Sequence, residues 1–305
     1  MSETTLWFGV LSPRSAGQRT LSPRTWTCIG ALAIPLWATW PSLAIRTFDI
    51  PPLESLSIMF FFGWLVLMPL HRPEPGSVDE RLPGKLSWLP ALVFAIGLSG
   101  GDVAFLLATH RIPAAQANLI SYLWPVMIVV FGAAIGLFRL RLRQVIGLAL
   151  GFGGAVILVW DGRISMSISG IGLALLSGAC WAAYCLFRLT WKLPAGNVLA
   201  RGCALSAVLC ASLHFFLEPT IVPSLGSFAA TAVAGIIPLA LGNFVWDEGF
   251  RRGDGQLLAV MAYATPLCSA LLLAALGAAL LTWNLLAGAV VIVLAGLLSA
   301  ETASL

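Results

Sequence analysis

Charge is what this chain has least of. Asp, Glu, Lys and Arg make up 10% of its 305 residues, against about 25% in a soluble globular domain. Hydrophobic residues make up 59%, and the mean hydropathy is +0.94. A water-soluble fold of this length has too little interior for so much apolar surface, so much of it must face lipid. Histidine is scarcer still: His71, His110 and His214 are spread along the chain, which argues against the clustered His, Asp and Glu of a membrane-embedded enzyme. His214-x-x-x-Glu218 lacks the second His of a zinc-hydrolase helix. The cysteines Cys28, Cys180, Cys185, Cys203, Cys210 and Cys268 form no C-x-x-C pair and read as small buried side chains. Gly151-Phe-Gly-Gly154 has neither the spacing nor the preceding strand of a nucleotide loop. No catalytic residue, metal or cofactor is expected.

Long apolar runs are what the chain has in abundance. A helix needs about 20 mostly apolar residues to cross a bilayer. Ten segments meet or approach that length: 26–45, 54–70, 86–108, 114–138, 143–160, 169–189, 199–217, 225–247, 256–279 and 283–301. The expected class is an all-α polytopic membrane protein. Leu6–Leu11 is too short for a secretory h-region and follows Glu3, so residues 1–25 read as a cytoplasmic tail. The net charge of +4 could suggest nucleic acid, but the basic residues fall in gaps between apolar runs. With the N-terminus inside, Arg14, Arg19, Arg24, Arg72, Arg81, Lys85, Arg139, Arg141, Arg143, Arg188, Lys192, Arg201, Arg251 and Arg252 are cytoplasmic. Only Arg46, Arg111 and Arg163 of the 17 basic residues lie opposite. Retention of basic residues on the cytoplasmic side predicts both termini inside.

The sequence repeats itself. At an offset of 141, Arg111, Ala114, Tyr122 and Pro125 fall on Arg252, Gly255, Tyr263 and Pro266, Gly101-Asp102 on Gly242-Asn243, and Gly147 on Gly288. At a slightly different offset, Trp37 and Trp40 fall on Trp181 and Tyr184. Residues 26–160 and 169–301 thus read as two five-helix repeats. Five is odd, so the second copy enters the membrane inverted, an arrangement typical of secondary transporters.

Asn118-Leu-Ile-Ser-Tyr-Leu-Trp-Pro125, Trp181-Ala-Ala-Tyr-Cys185 and Tyr263-x-x-Pro266 carry a resemblance. Over roughly residues 26–301 the chain resembles the EamA type of the drug/metabolite transporter superfamily, and within it the YddG-like aromatic amino-acid exporters. The resemblance implies a bacterial inner-membrane exporter of amino acids, aromatic ones included, with broad range. It also implies that Trp124 and Trp181 handle substrate. The partners expected are small solutes and the bilayer, not nucleic acid, and a monomer is expected. Fold alone does not fix substrate. Another small metabolite or a drug remains an alternative cargo, and a membrane scaffold or membrane enzyme an alternative class.

The residues themselves suggest where a path would lie. A proline removes a backbone hydrogen bond and kinks a helix, so Pro125 and Pro266 predict paired kinks around a central cavity. Trp181 and Tyr184 share a helix face, as do Trp37 and Trp40, and Tyr122 and Tyr263 precede the prolines. Asp102 is an acid well inside a span, where carboxylates mark substrate or proton pathways. Its repeat mate is Asn243. Asn118 is a further polar residue of the fourth span. Helices 3, 4, 8 and 9 are expected to border the path with helices 1 and 6. Asp247 and Glu248 close the eighth span and read as solvated. No Arg or Lys is placed deep in a span, leaving a helix N-terminus or kink-opened backbone to meet a substrate carboxylate. Gly97/Gly101, Gly132/Gly136 and Gly147/Gly151 have the spacing of close helix packing.

Overall fold

The computed structural model describes residues 21–44, 46–47, 49–70, 88–159, 167–190, 195–277 and 283–300. The tail is therefore described only from Leu21. Arg14, Arg19, His71, Arg72, Arg81, Lys85, Trp160, Arg163, Trp191 and Lys192 lie outside the described residues. Every regular element among the described residues is helical.

The helical columns are α1 (Pro23–Ala44), α2 (Pro52–Leu70), α3 (Leu89–Thr109), α4 (Ala114–Ser121 and Trp124–Ala134), α5 (Leu142–Val159), α6 (Ile168–Thr190), α7 (Ala195–Leu217), α8 (Leu225–Arg252), α9 (Gly255–Met261 and Ala264–Ala275) and α10 (Trp283–Ala300). Among the described residues, eight are long and apolar enough to cross a membrane, namely α1–α4 and α6–α9. Leu142–Ile157 within α5 is a shorter apolar stretch. The 18 residues of α10 include no charged side chain. The chain is a polytopic all-α membrane protein.

Local chemistry sets the starts. Ser22 caps α1 by accepting from the Thr25 amide at 3.2 Å, with Pro23 at the first helical position. Asp254 caps α9 by accepting from the Leu257 amide at 2.9 Å. The eighth span reaches Arg252, five residues past its expected end. It also widens into a π-helical stretch over Gly235–Gly242, around Pro238. Proline cannot donate to the ladder and its ring crowds the preceding turn, and the wider turn relieves both faults. The helix breaks of α4 and α9 match: each stops at a Tyr-containing pair, Tyr122–Leu123 and Ala262–Tyr263. α4 resumes at Trp124, one residue before Pro125, and α9 at Ala264, two before Pro266, so that both prolines sit in a first turn where no donor is missed.

Packing mixes the two halves of the chain. α1 packs on α8 and α9, and α2 on α8. Likewise α6 packs on α3 and α4, and α7 on α3. α2 pairs with α7, and α5 with α10 at the margin. Two groups result, α1/α2/α8/α9 and α3/α4/α6/α7, and each draws helices from both halves. At one end, Glu218 accepts from the Leu53 amide at 3.0 and 3.2 Å, and His214 contacts Glu218 and Thr220 at 3.0 Å each, tying α7 to α2.

The α1–α8 contact depends on bare backbone. A Cβ on Gly249 would collide with the Cα and N of Gly30. At the same place the Asp254 amide donates to Thr27 Oγ1 at 2.9 Å, and the Arg252 guanidinium lies 4.5 Å over the Trp26 ring. Gly249→Val should force the helices apart and cost about 1–3 kcal/mol. Thermal melting in detergent will show this as a lowered midpoint, while Gly153→Ala, whose Cβ direction is open, should melt like the parent.

Candidate functional site

Four indoles meet where the two helix groups face each other. Trp37 (α1) and Trp246 (α8) come from one group, Trp124 (α4) and Trp181 (α6) from the other. Trp37 lies 6.3 Å from Trp124, 6.1 Å from Trp181 and 5.1 Å from Trp246, centroid to centroid. Trp124 lies 6.3 Å from Trp181 and 5.4 Å from Trp246. Most of these pairs are edge-to-face, which sets the positive rim of one ring against the negative face of the next. The cluster continues to Tyr184, 5.4 Å from Trp181, then to Phe94, and on the other side to Phe250, stacked 5.4 Å from Trp246.

Two of the four indoles donate their N–H to neighbouring side chains. Trp37 Nε1 donates to Asn243 Oδ1 at 3.1 Å, and Trp246 Nε1 to Cys185 Sγ at 3.5 Å. The Trp37 ring lies so close over α8 that a Cβ on Gly242 would reach 2.8 Å from it. Gly101-Asp102 and Gly242-Asn243, aligned in sequence at the offset of 141, thus serve different neighbours. Gly101 lets α3 approach α6, and Gly242 lets Trp37 approach α8.

Below the rings lies a buried ion network. Arg188 (α6) and Asp247 (α8) form a two-point pair, Nε to Oδ1 at 2.7 Å and Nη2 to Oδ2 at 2.8 Å, with side chains 1% and 2% exposed. Arg251 Nε donates to Asp247 Oδ2 at 3.0 Å and its Nη2 to Glu248 Oε1 at 2.6 Å. Arg252 meets Glu248 at 2.6 Å. The Tyr184 hydroxyl donates to Asp247 Oδ1 at 3.3 Å, linking ring cluster and ion network. Glu248 also accepts from the Ala195 amide at 3.3 Å, at the start of α7.

Of the residues singled out by sequence, Trp37, Trp124, Trp181, Tyr184 and Asn243 come together here. Trp40 does not. It is 38% exposed, because α1 is interrupted at Thr39 and Trp40 begins a new short helix out of register with Trp37. Tyr263 is fully buried, but against Gly151 and Phe152 of α5, away from the cluster. Tyr122 and Asn118 are half-buried at the α4 break, where the Asn118 carbonyl accepts from the Tyr122 amide at 2.9 Å. Pro125 and Pro266 are buried. Asp102 is half-buried within α3, with no hydrogen-bond or ion-pair partner among the described residues.

Two readings need correction. Asp247 and Glu248 are buried rather than solvated, because α8 continues past them and Arg188 and Arg251 close over them. Arg188 is not a loop-edge cation but lies inside the protein. Trp246 was missed altogether. The signal for this corner was present as two i,i+4 pairs, Asp247 with Arg251 and Glu248 with Arg252, one residue after a tryptophan. A cleft of about 430 Å³ between α4 and α5, lined by residues such as Leu123, Val130 and Phe152, offers no polar group to a zwitterion. Among the described residues, no three His, Cys, Asp or Glu side chains are grouped to hold a metal.

Two interleaved helix groups, meeting at a ring-lined and charge-closed centre, define a multi-pass membrane transporter rather than an enzyme. The chain belongs to the EamA-like transporter family, whose model matches residues 24–160. It is 33% identical over 264 residues to the "Aromatic amino acid exporter YddG" of Ancylobacter novellus, covering 82% of this chain and 88% of that one. It is 27% identical to the protein of the same description from Salmonella typhimurium, over 89% and 95% of the two chains, and 26% identical to that of Escherichia coli K12, over 87% and 93%. A solved crystal structure of 29% identity superposes with a TM-score of 0.82, over 92% of this chain and 97% of that one. The protein is thus an exporter of small metabolites and a multi-pass protein of the inner membrane.

Proposed function

We propose that this transporter exports amino acids of broad range, aromatic ones included, by alternating access. The observation that carries the reading is the four-tryptophan cluster between the two helix groups. Parting the groups would expose ring faces from both sides to an apolar or aromatic side chain, and such contacts are tolerant of shape. The names of the relatives support the same cargo.

The remaining architecture follows from the same reading. Ten spans form two inverted repeats with both termini cytoplasmic, and the monomer is the working unit. The pairing supports this: α1–α8 corresponds to α6–α3, α2–α8 to α7–α3, and α1–α9 to α6–α4, while α2–α7 and α5–α10 map onto themselves. The matched breaks before Pro125 and Pro266 are the hinges.

The test is flux of labelled phenylalanine and threonine in proteoliposomes. Wild-type protein should carry both. Trp124→Ala and Trp181→Ala should lower phenylalanine flux by about fivefold, as expected if each ring contributes about 1 kcal/mol to holding the substrate ring. Absence of any amino-acid flux from folded, inserted wild-type protein overturns the cargo, and competition by other metabolites then becomes the route to it.

A further inference from the structure

The apolar cleft between α4 and α5 takes no part in the ring cluster. Val126 and Val130 of α4 and Val145, Ala149 and Phe152 of α5 line about 430 Å³, and Leu140 of the connection completes the wall. Val130, Leu140 and Val145 are exposed, so the cleft opens on the outside of the bundle, where a membrane protein meets lipid. Water in such a cleft would find no hydrogen-bond partner, and an empty one forfeits dispersion contacts. Hydrocarbon suffers neither loss. The connection adds a second feature. Arg139, Arg141 and Arg143 alternate with Leu140 and Leu142, and all three arginines are exposed. Gly136, at φ +77°, turns the chain, and the amides of Leu137 and Phe138 donate to the Gly132 carbonyl at 2.8 and 3.2 Å. Beyond the turn, the Arg139 carbonyl accepts from Gln256 Nε2 at 3.5 Å, and the Arg141 amide donates to Gln144 Oε1 at 3.4 Å. The basic run is thus pinned to α4, α5 and α9 and flanks the cleft wall at Leu140. No Asp or Glu occurs from residue 103 to 160, so α4, α5 and their connection carry cations alone.

We propose that this face binds one anionic phospholipid, with an acyl chain in the α4–α5 cleft and its phosphate on Arg139, Arg141 and Arg143. The two features lie in the order in which a lipid presents its parts. The arginines stand at the start of α5, and Phe152 lies about 14 Å further along it, at 1.5 Å per residue. The phosphate therefore sits at the bilayer edge and the chain runs inward. Arginine forks match phosphate oxygens two at a time, and basic pockets between spans are where anionic headgroups bind. Arg141 and Arg143 make other contacts as well. Each guanidinium has five donors, so a phosphate can be added to those contacts. The source is the surrounding bilayer rather than a soluble phosphate, because only a lipid also fills the cleft. Leu123, at the break of α4, is a cleft wall, and so is Phe152, whose ring lies 6.4 Å from Tyr263 at the break of α9. The site thus lies beside both helix breaks.

The test is native mass spectrometry of the delipidated full-length carrier, titrated with dioleoyl phosphatidylglycerol and, separately, with dioleoyl phosphatidylcholine. Wild type should hold one phosphatidylglycerol about tenfold or more tightly than phosphatidylcholine. Arg139→Gln, Arg141→Gln and Arg143→Gln should each weaken phosphatidylglycerol binding by about fivefold. Arg111→Gln, which removes an exposed arginine from the other end of α4, should leave it unchanged. Ala149→Phe fills the cleft from an exposed position and keeps every arginine. It should weaken binding by about tenfold or more, through the chain methylenes it excludes. Ile146→Phe, exposed on the same helix but outside the cleft lining, should bind as wild type does. Equal affinity for the two lipids overturns the site, and so does unchanged phosphatidylglycerol binding in Ala149→Phe or in the arginine variants. Losses in Arg111→Gln or Ile146→Phe as large as those at the site overturn it too, since the lipid would then be coating the protein rather than occupying the cleft. None of these outcomes bears on the cargo.

Discussion

An Asp247→Ala carrier is expected to melt far below the wild type, with a loss of about 3–5 kcal/mol in stability. The size of the effect comes from what is left behind. Asp247 accepts two bonds from Arg188 and one from Arg251, with 2% of its side chain exposed. Arg251 keeps Glu248 at 2.6 Å, so its charge stays compensated. Arg188 is 1% exposed and loses its two-point acceptor, inside a protein that lies in a medium without water. Arg188→Met together with Asp247→Leu should recover most of the loss, because replacing a buried pair with apolar groups of like volume is neutral or better. Thermal melting of the purified carriers in detergent separates the cases. A single variant as stable as the wild type would show that the pair does not hold α6 to α8. A double variant that melts normally but transports poorly would show that the pair is kept for transport rather than for stability.

That corner was the least legible in the sequence, and the reason is physical. Apolar runs specify spans directly, since length against bilayer thickness is a property of one segment. The positions of the apolar helices could therefore be read to within a few residues. Repeated Tyr-x-x-Pro likewise announced the matched breaks of α4 and α9, because a proline's effect on its helix is local. Burial of Asp247 is not local. It depends on Arg188, 59 residues away on another helix, and nothing in either segment names the other. Length misled as well: α8 was expected to end at 247, which would have left Asp247 and Glu248 in solvent. The π-helical stretch around Pro238 and the continuation to Arg252 carry them inside instead.

The aromatic residues show the same division. Spacing of three correctly put Trp181 and Tyr184 on one face of α6, which is continuous from Ile168 to Thr190. The same rule failed for Trp37 and Trp40. The Thr39 amide bonds three residues back, to the Leu36 carbonyl at 3.3 Å, and the change of register turns Trp40 outward. The repeat also could not reveal Trp246. Its mate at the offset of 141 is Phe105, which packs in a separate small cluster with Ala108 and Ile112. The ring cluster and ion network are asymmetric at that offset, where Trp246 and Asp247 fall on Phe105 and Leu106.

Trp246→Ala should have the largest effect of any change in the cluster. The side chain is 1% exposed and touches Trp37 at 5.1 Å, Trp124 and Phe250 at 5.4 Å, and Cys185 through its N–H. Truncating a buried tryptophan costs about 3–5 kcal/mol, and the cavity would open between the two helix groups rather than within one. The loss should therefore fall on the closed arrangement. Cys185 reports it, since the thiol is 1% exposed, sits on α6 and is covered by an indole from α8. Maleimide labelling at Cys185, resolved by peptide mass spectrometry from the exposed Cys28, should accelerate by about tenfold for each 1.4 kcal/mol by which the closed state is weakened. Trp246→Phe keeps a ring against Trp124 and Phe250 and should restore most of the protection. Combining Trp246→Ala with Trp37→Ala should cost less than the two single losses added, by about 0.5–1.5 kcal/mol for the direct ring pair. Unchanged labelling of Cys185 in Trp246→Ala would mean that the groups are held shut by the Arg188–Asp247 pair alone. Fast labelling with that pair intact would instead make the rings the principal lock between α6 and α8.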